Sequence, residues 1–333
     1  MITVTLYYRQ DCPRCDEVLD DLQALQAVIP HRLVKIDIDR DAALQQQYGE
    51  SVPVVQVGPY RLKSTFTRQD LQVALNAAEE RRDYLEQTDE QYRQRVKRGQ
   101  QLSGTDRFTY WISRHYMMVF NLLVFIYVGL PFLAPTLMEV GQAGPARVIY
   151  TVYSPLCHQL AFRSWFLFGE QPYYPRALSH VPVNLTYEQL TQQTSIDLLA
   201  ARQFIGNETV GYKVALCERD VAIYGAILLF GLLFAVTGRR LRSIPWYIWI
   251  VVGLVPIGLD GVSQLPSLAG VVLPFSLPMR ESTPPLRSLT GGLFGFTTAW
   301  YIYPLIEETM RETRMMITHK MALKEQSPSG TTI

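Results

Sequence analysis

The sequence predicts a two-part molecule: an α/β domain, with a central mixed sheet flanked by helices, over residues 1–80, and an all-α transmembrane helical bundle over residues 114–310. Three observations predict it. Short apolar runs with strand alternation are interleaved with helical spacing at the start of the chain. The dithiol Cys12-Pro13-Arg14-Cys15 stands directly behind the first of these runs. Past residue 114, uncharged stretches of about bilayer length recur, each bounded by charge.

Taken in order, residues 4–8 read as a strand, and residues 17–28 carry helical spacing at Val18, Leu19, Leu22 and Leu25. A second strand follows over 31–39, alternating at Leu33, Val34, Ile36 and Ile38, and then a short helix over 42–48. Ser51-Val52-Pro53-Val54-Val55 is a strand entered through a proline. Strands over 54–57 and 60–63 and a helix over 67–78, capped near Phe66 or Thr67, complete the domain.

Two cysteines three apart on the first turn of a helix lie near each other, and the helix N-terminus favours thiolate over thiol. A zinc half-site would need a second ligand pair nearby, and none precedes Cys157. With these residues in place, residues 1–80 resemble a glutaredoxin or thioredoxin-type domain. The resemblance implies a cis proline at Pro53 set against the dithiol, Cys12 as nucleophile, Cys15 as resolving thiol, and Pro53 positioning a partner's backbone. Glutaredoxins hold glutathione with Gly-Gly and an acidic residue before the last helix; here that stretch reads Tyr60-Arg61-Leu62-Lys63-Ser64-Thr65-Phe66. The partner expected is a thiol-containing protein or low-molecular-weight thiol.

Met1 leads into the first strand without a basic and apolar leader, so the dithiol is expected in the cytoplasm. Residues 81–113 form a charged, glutamine-rich helical connector. Its end carries Arg93, Arg95, Lys97, Arg98, Arg107 and Arg114 against Asp106, the bias of a cytoplasmic flank.

Spans are expected at about 116–138, 221–237, 244–261 and 289–306, with Pro131 and Pro135 kinking or ending the first. Residues 147–169 contain His158, Gln159 and Arg163, each costly in lipid, and are expected as an interfacial or buried helix. Residues 170–216 then form an external loop, with a surface helix over 187–204 whose apolar spacing runs through Leu190, Ile196, Leu199 and Phe204. Four spans place Arg239, Arg240 and Arg242 inside, together with a cytoplasmic tail over 311–333 bearing Arg311, Arg314, Lys320 and Lys324, disordered past Lys324.

That topology gathers Cys157, His158, Cys217, Arg219, Asp220, Asp260, Gln264 and Arg287 toward the external face. Cys157-His158-Gln159, Arg163-Ser164-Trp165-Phe166, Cys217-x-Arg219-Asp220 with Ile223-Tyr224-Gly225, Asp260-Gly261 and Arg287-x-x-Thr290-Gly291 resemble a bacterial integral-membrane family of unknown function, across 148–306. Asp220 stands where that family's usual form has a cysteine. Three readings of the cluster remain open: thiol redox at Cys157 and Cys217, as a disulfide or with a quinone; zinc held by Cys157, His158, Cys217 and Asp220; or packing of the bundle. Adjacent residues point about 100° apart on a helix, so chelation by Cys157 and His158 requires irregular backbone there. Gly291, Gly292 and Gly295 have the spacing of close helix packing.

Six basic and six acidic residues balance between Glu139 and Arg219, so no nucleic-acid partner is indicated, whereas the lipid bilayer is. Phosphate-cradling loops, G-x-S-x-G and H-E-x-x-H are absent from the sequence. The function expected is a membrane-anchored thiol–disulfide oxidoreductase; the alternative is a membrane transport or metal-handling protein with a redox-sensing thiol domain.

Overall fold

β1 (Ile2–Tyr8) is the hub of a four-stranded sheet in the computed structural model of this chain, which describes residues 2–40, 42–63, 65–94, 103–192, 197–265 and 280–325. The strand order is β2 (His31–Asp37), β1, β3 (Val54–Val57), β4 (Tyr60–Lys63). β1 pairs in parallel with β2 and antiparallel with β3, and β3 pairs antiparallel with β4. A parallel pair needs a crossover, and α1 (Pro13–Gln26) supplies it. Val18, Leu22 and Leu25 of α1 pack with Leu71 and Leu75 of α3 (Arg68–Thr88) over Val4 and Leu6 on one sheet face. On the other face Tyr7, Ile36 and Val54 pack with Leu44 and Tyr48 of α2 (Ala42–Tyr48). The mixed sheet with helices on its faces fits a thioredoxin-like fold.

Thr67 caps α3 in a reciprocal box with Asp70, and the helix then runs to Thr88, beyond the expected end at residue 78. Residues 90–94 are again helical. Of the basic flank, Arg95, Lys97 and Arg98 lie outside the described residues.

The chain divides into two compact units, one of Met1–Arg114 with Glu308–Ile333 and the other of His115–Glu307. In the first unit, the end of the long last helix joins the sheet: Thr5 Oγ1 and His319 Nε2 are 2.8 Å apart, and Arg314 donates to the Ser113 carbonyl at 2.6 Å.

α4 (Gly104–Glu139), which belongs to the second unit from His115 on, runs through Pro131 and Pro135 without ending there. α5 (Ala143–Tyr153) is followed by a turn, an open segment around Cys157 and a short strand β5 (Ser164–Leu167). The helix expected across 147–169 is therefore corrected to one helix that stops at Tyr153. Ser154 keeps helical backbone, but Pro155 lacks the N–H that would continue the ladder, and Gln159 takes the left-handed conformation with φ of 51°. The expected external loop is also built rather than open. β5, β7 (Gly211–Cys217) and β6 (Gly206–Asn207) form an antiparallel sheet in the order β5-β7-β6. In place of one surface helix there are two short ones, α6 (Tyr187–Thr191) and α7 (Leu198–Gln203), capped by Thr186 and Asp197; Ile196 lies outside the described residues.

α8 (Glu218–Val236) starts where β7 ends, α9 (Trp246–Val262) contains a π-helical turn over Trp249–Leu254, and α10 (Pro284–Glu325) is a 42-residue helix. The tail expected to be disordered past Lys324 lies, from residue 326, outside the described residues. Among the described residues, α4 and α8 are long and apolar enough to cross a bilayer by length and composition; α9 is apolar but shorter. Both present large apolar side chains outward, Leu122, Phe125 and Ile126 on α4 and Leu229, Leu232 and Val236 on α8. α8 and α10 approach backbone to backbone: a Cβ on Gly295 would lie 2.1 Å from the Ile223 carbonyl, and one on Gly291 would lie 2.8 Å from that of Arg219.

Candidate functional site

Cys12 sits at the N-cap of α1, with Pro13 at the first helical position, where a missing N–H costs nothing. The Cys15 N–H donates to Cys12 Sγ at 3.2 Å, and the two residues are joined as a disulfide with Cα atoms 5.2 Å apart. Cys15 is 2% exposed while Cys12 is partly open, so the two sulfurs are not equivalent toward an incoming partner. Pro53 is buried and follows a cis peptide bond at the entry to β3. Arg14 donates to the Phe66 carbonyl at 2.8 Å, which ties the motif to the segment where glutaredoxins carry their glycine pair.

The second group of expected residues lies in the other unit, around a pocket of about 860 Å³. Cys157, His158, Gln159, Arg163, Cys217, Arg219, Asp220 and Arg287 all line it. Cys157 comes from the open segment after α5, Cys217 from the end of β7, and Asp220 from the first turn of α8. The sulfurs of Cys157 and Cys217 and a carboxylate oxygen of Asp220 all lie within 4.8 Å of one another. The Cys217 N–H, at the N-cap of α8, donates to Cys157 Sγ at 3.3 Å. A hydrogen bond with the Cys157 thiol, then burial, hold the Cys217 thiol well above its ordinary pKa. His158 departs from the expected ligand set: it is exposed, while its neighbours Cys157 and Gln159 turn inward.

Gln159 fixes this irregular backbone. Its side chain donates to the carbonyls of Tyr150 at 2.9 Å and Ala215 at 3.0 Å, and its own carbonyl accepts from Lys213 Nζ at 2.8 Å. Lys213 is fully buried on β7, and its Nζ also donates to the Arg202 carbonyl at 2.5 Å. Burial pushes its pKa down to about 7.

Behind the pocket, a chain of ion pairs joins the remaining expected residues. Arg163 donates to Glu281 at 2.8 Å and to Gln264 Oε1 at 2.9 Å. Glu281 also receives Arg287 and Arg176, and Arg287 reaches Glu218 at 3.1 Å. Asp260 pairs with Arg219 and Arg280 and accepts from Ser282 at 3.0 Å and, weakly, from Gln264 at 3.5 Å. Asp260 and Arg287 are thus members of a largely buried charged lattice in which each charge has an opposite partner. Tyr224, one turn along α8 from Asp220, packs its ring against Tyr127 with centroids 4.4 Å apart.

Glu218, Glu281 and Lys213, central to this arrangement, were not singled out from the sequence. Glu218 alone had a usable signal, standing between Cys217 and Arg219 in a motif already noted.

Two family models match separate parts of the chain. Residues 3–76 match a glutaredoxin-like domain (DUF836), and residues 202–301 match a predicted membrane protein family (DUF2085). The chain therefore joins a glutaredoxin-like domain to a predicted membrane domain. An uncharacterized protein of Methanocaldococcus jannaschii is 26% identical over 206 residues, which cover 59% of this chain and 96% of that protein. A solved structure described as that of a malarial protein is 17% identical over 23% of this chain and 97% of its own, with a TM-score of 0.21.

Proposed function

We propose that this chain, a glutaredoxin-like domain joined to a DUF2085 membrane domain, is a membrane-anchored thiol–disulfide oxidoreductase. The observation that carries the reading is the asymmetry of the dithiol: a partly open Cys12 at a helix N-terminus beside a buried Cys15. In the reduced protein the Cys12 thiolate attacks a substrate disulfide, forming a mixed disulfide and releasing one substrate thiolate. Cys15 then attacks Cys12 Sγ, expels the second substrate thiolate and closes the Cys12–Cys15 bond. Buried Pro53 at the entry to β3 is the residue assigned to positioning the partner's backbone. A thiol-containing protein or low-molecular-weight thiol returns the pair to the dithiol. Arg14 bound to the Phe66 carbonyl, in place of a glycine pair, argues against a glutathione cradle.

The membrane domain is proposed to cross the bilayer four times, through α4, α8, α9 and the first part of α10. The dithiol domain and the end of α10 lie on the cytoplasmic side.

Trapping tests the exchange. The Cys15→Ser variant is expected to accumulate a mixed disulfide with a protein or small-thiol partner, and Cys12→Ser to trap none and to lose disulfide reduction. Unchanged reduction of a model disulfide by purified Cys12→Ser would remove the reading.

A further inference from the structure

We propose that Cys157, Cys217 and Asp220 form a binding site for a thiolate-preferring divalent cation of the zinc class, separate from the Cys12–Cys15 dithiol. Two sulfurs and one carboxylate oxygen, all within 4.8 Å of one another, have the donor types and the spacing of three corners of a tetrahedral zinc site. The donors come from three different places: an irregular segment, a strand end and a helix first turn. Their convergence is therefore a property of the fold and not of a local repeat.

The surroundings favour a metal over a bare thiol pair. The Cys217 N–H already donates to Cys157 Sγ at 3.3 Å, the kind of supporting bond that orients a metal-bound sulfur. Two thiolates and a carboxylate around a divalent cation leave one net negative charge. Lys213, four residues before Cys217 on β7, is buried with its Nζ bonded to the carbonyls of Gln159 and Arg202, so a buried amine stands on the strand that delivers Cys217. Arg219 and Arg287, by contrast, are neutralised by Asp260, Glu218 and Glu281. Cys157, Cys217 and Asp220 line one pocket, and three protein donors are the number found in zinc sites that keep a position for an exchangeable ligand. Binding releases the two thiol protons to solvent.

The experiment is metal analysis of the full chain purified in detergent after loading with zinc alone and desalting. About one zinc per chain is expected in the wild type and in the Cys12→Ser/Cys15→Ser variant, and none in Cys157→Ser/Cys217→Ser. Cobalt in place of zinc is expected to give a sulfur-to-cobalt absorption band, which Asp220→Cys, a ligand exchanged for a ligand, strengthens while retaining the metal. That variant keeps the test sound if serine substitutions disturb folding. Absence of bound zinc in the wild type, zinc lost with Cys12 and Cys15 instead, a weaker cobalt–sulfur band in Asp220→Cys, or a Cys157–Cys217 disulfide in protein isolated without oxidant would each overturn the site.

Discussion

Glu281 is the residue on which the charged lattice of the second unit converges, receiving Arg163, Arg176 and Arg287 while 1% exposed itself. Removing its charge strands cations that have few other partners in a low-dielectric setting. Glu281→Gln is expected to cost roughly 3–5 kcal/mol, the range for breaking a buried ion pair from one side. The exposed control Glu170→Gln should stay within about 0.5 kcal/mol. Thermal unfolding of the two variants in detergent checks this, and equal midpoints would mean the lattice is not held as drawn. The same residue marks the limit of reading at this scale. Cys12 and Cys15 stand in a local motif whose spacing carries its chemistry, and the role of Pro53 followed from the resemblance to glutaredoxins. Glu281 meets Arg163 across 118 positions of sequence, and no spacing rule connects them.

At the scale of elements, the approach of α8 and α10 depends on positions without side chains. A Cβ at Gly295 would meet the Ile223 carbonyl at 2.1 Å, and backbone cannot swing aside as a side chain can. Gly295→Ala is therefore expected to force the helices apart at about 1–3 kcal/mol, the usual cost of overpacking. Gly292→Ala, where nothing lies within 4 Å, should be neutral or slightly stabilising through helix propensity. Melting temperatures of the pair decide it: two equal losses would point to helix flexibility and not close packing. The small-residue spacing was legible in the sequence, as were α4 and α8 from their uncharged length. The sheet of β5, β6 and β7 was not. Its strands are short, β5 and β7 are separated by two helices, and the run Tyr212 to Leu216 offers no period that tells a buried strand from a buried helix. α5 ends two residues before Pro155, whose missing N–H removes the next bond of the ladder.

Across the whole molecule, charge bias is the sequence feature that argues for an orientation, and helix length alone does not fix how many spans there are. α4 and α8 satisfy the bilayer by length and composition, whereas α9 is shorter and α10 is far longer than a span and charged in its second half. Arg107 and Arg114 precede the apolar part of α4, and Arg239, Arg240 and Arg242 follow α8, so the proposed outward and inward crossings would leave both groups on the cytoplasmic side. In the proposed four-span topology, two further crossings, by α9 and the first half of α10, would return the chain to that side before Arg311 and Arg314. Introduced cysteines test this without touching the basic residues that set orientation. In a Cys12→Ser/Cys15→Ser background, Glu170→Cys and Glu312→Cys each place a thiol at an exposed position. A membrane-impermeant thiol reagent is expected to add label beyond that of the background, which keeps Cys157 and Cys217, for Glu170→Cys in intact spheroplasts and for Glu312→Cys only after lysis. Labelling of both from outside would require an odd number of crossings between the basic flank before α4 and residue 312. It would also place the dithiol domain and the end of α10 on opposite faces, which is incompatible with the contacts of His319 with Thr5 and of Arg314 with Ser113 inside one folded unit. The labelling result therefore checks the charge argument and the composition of the first unit together.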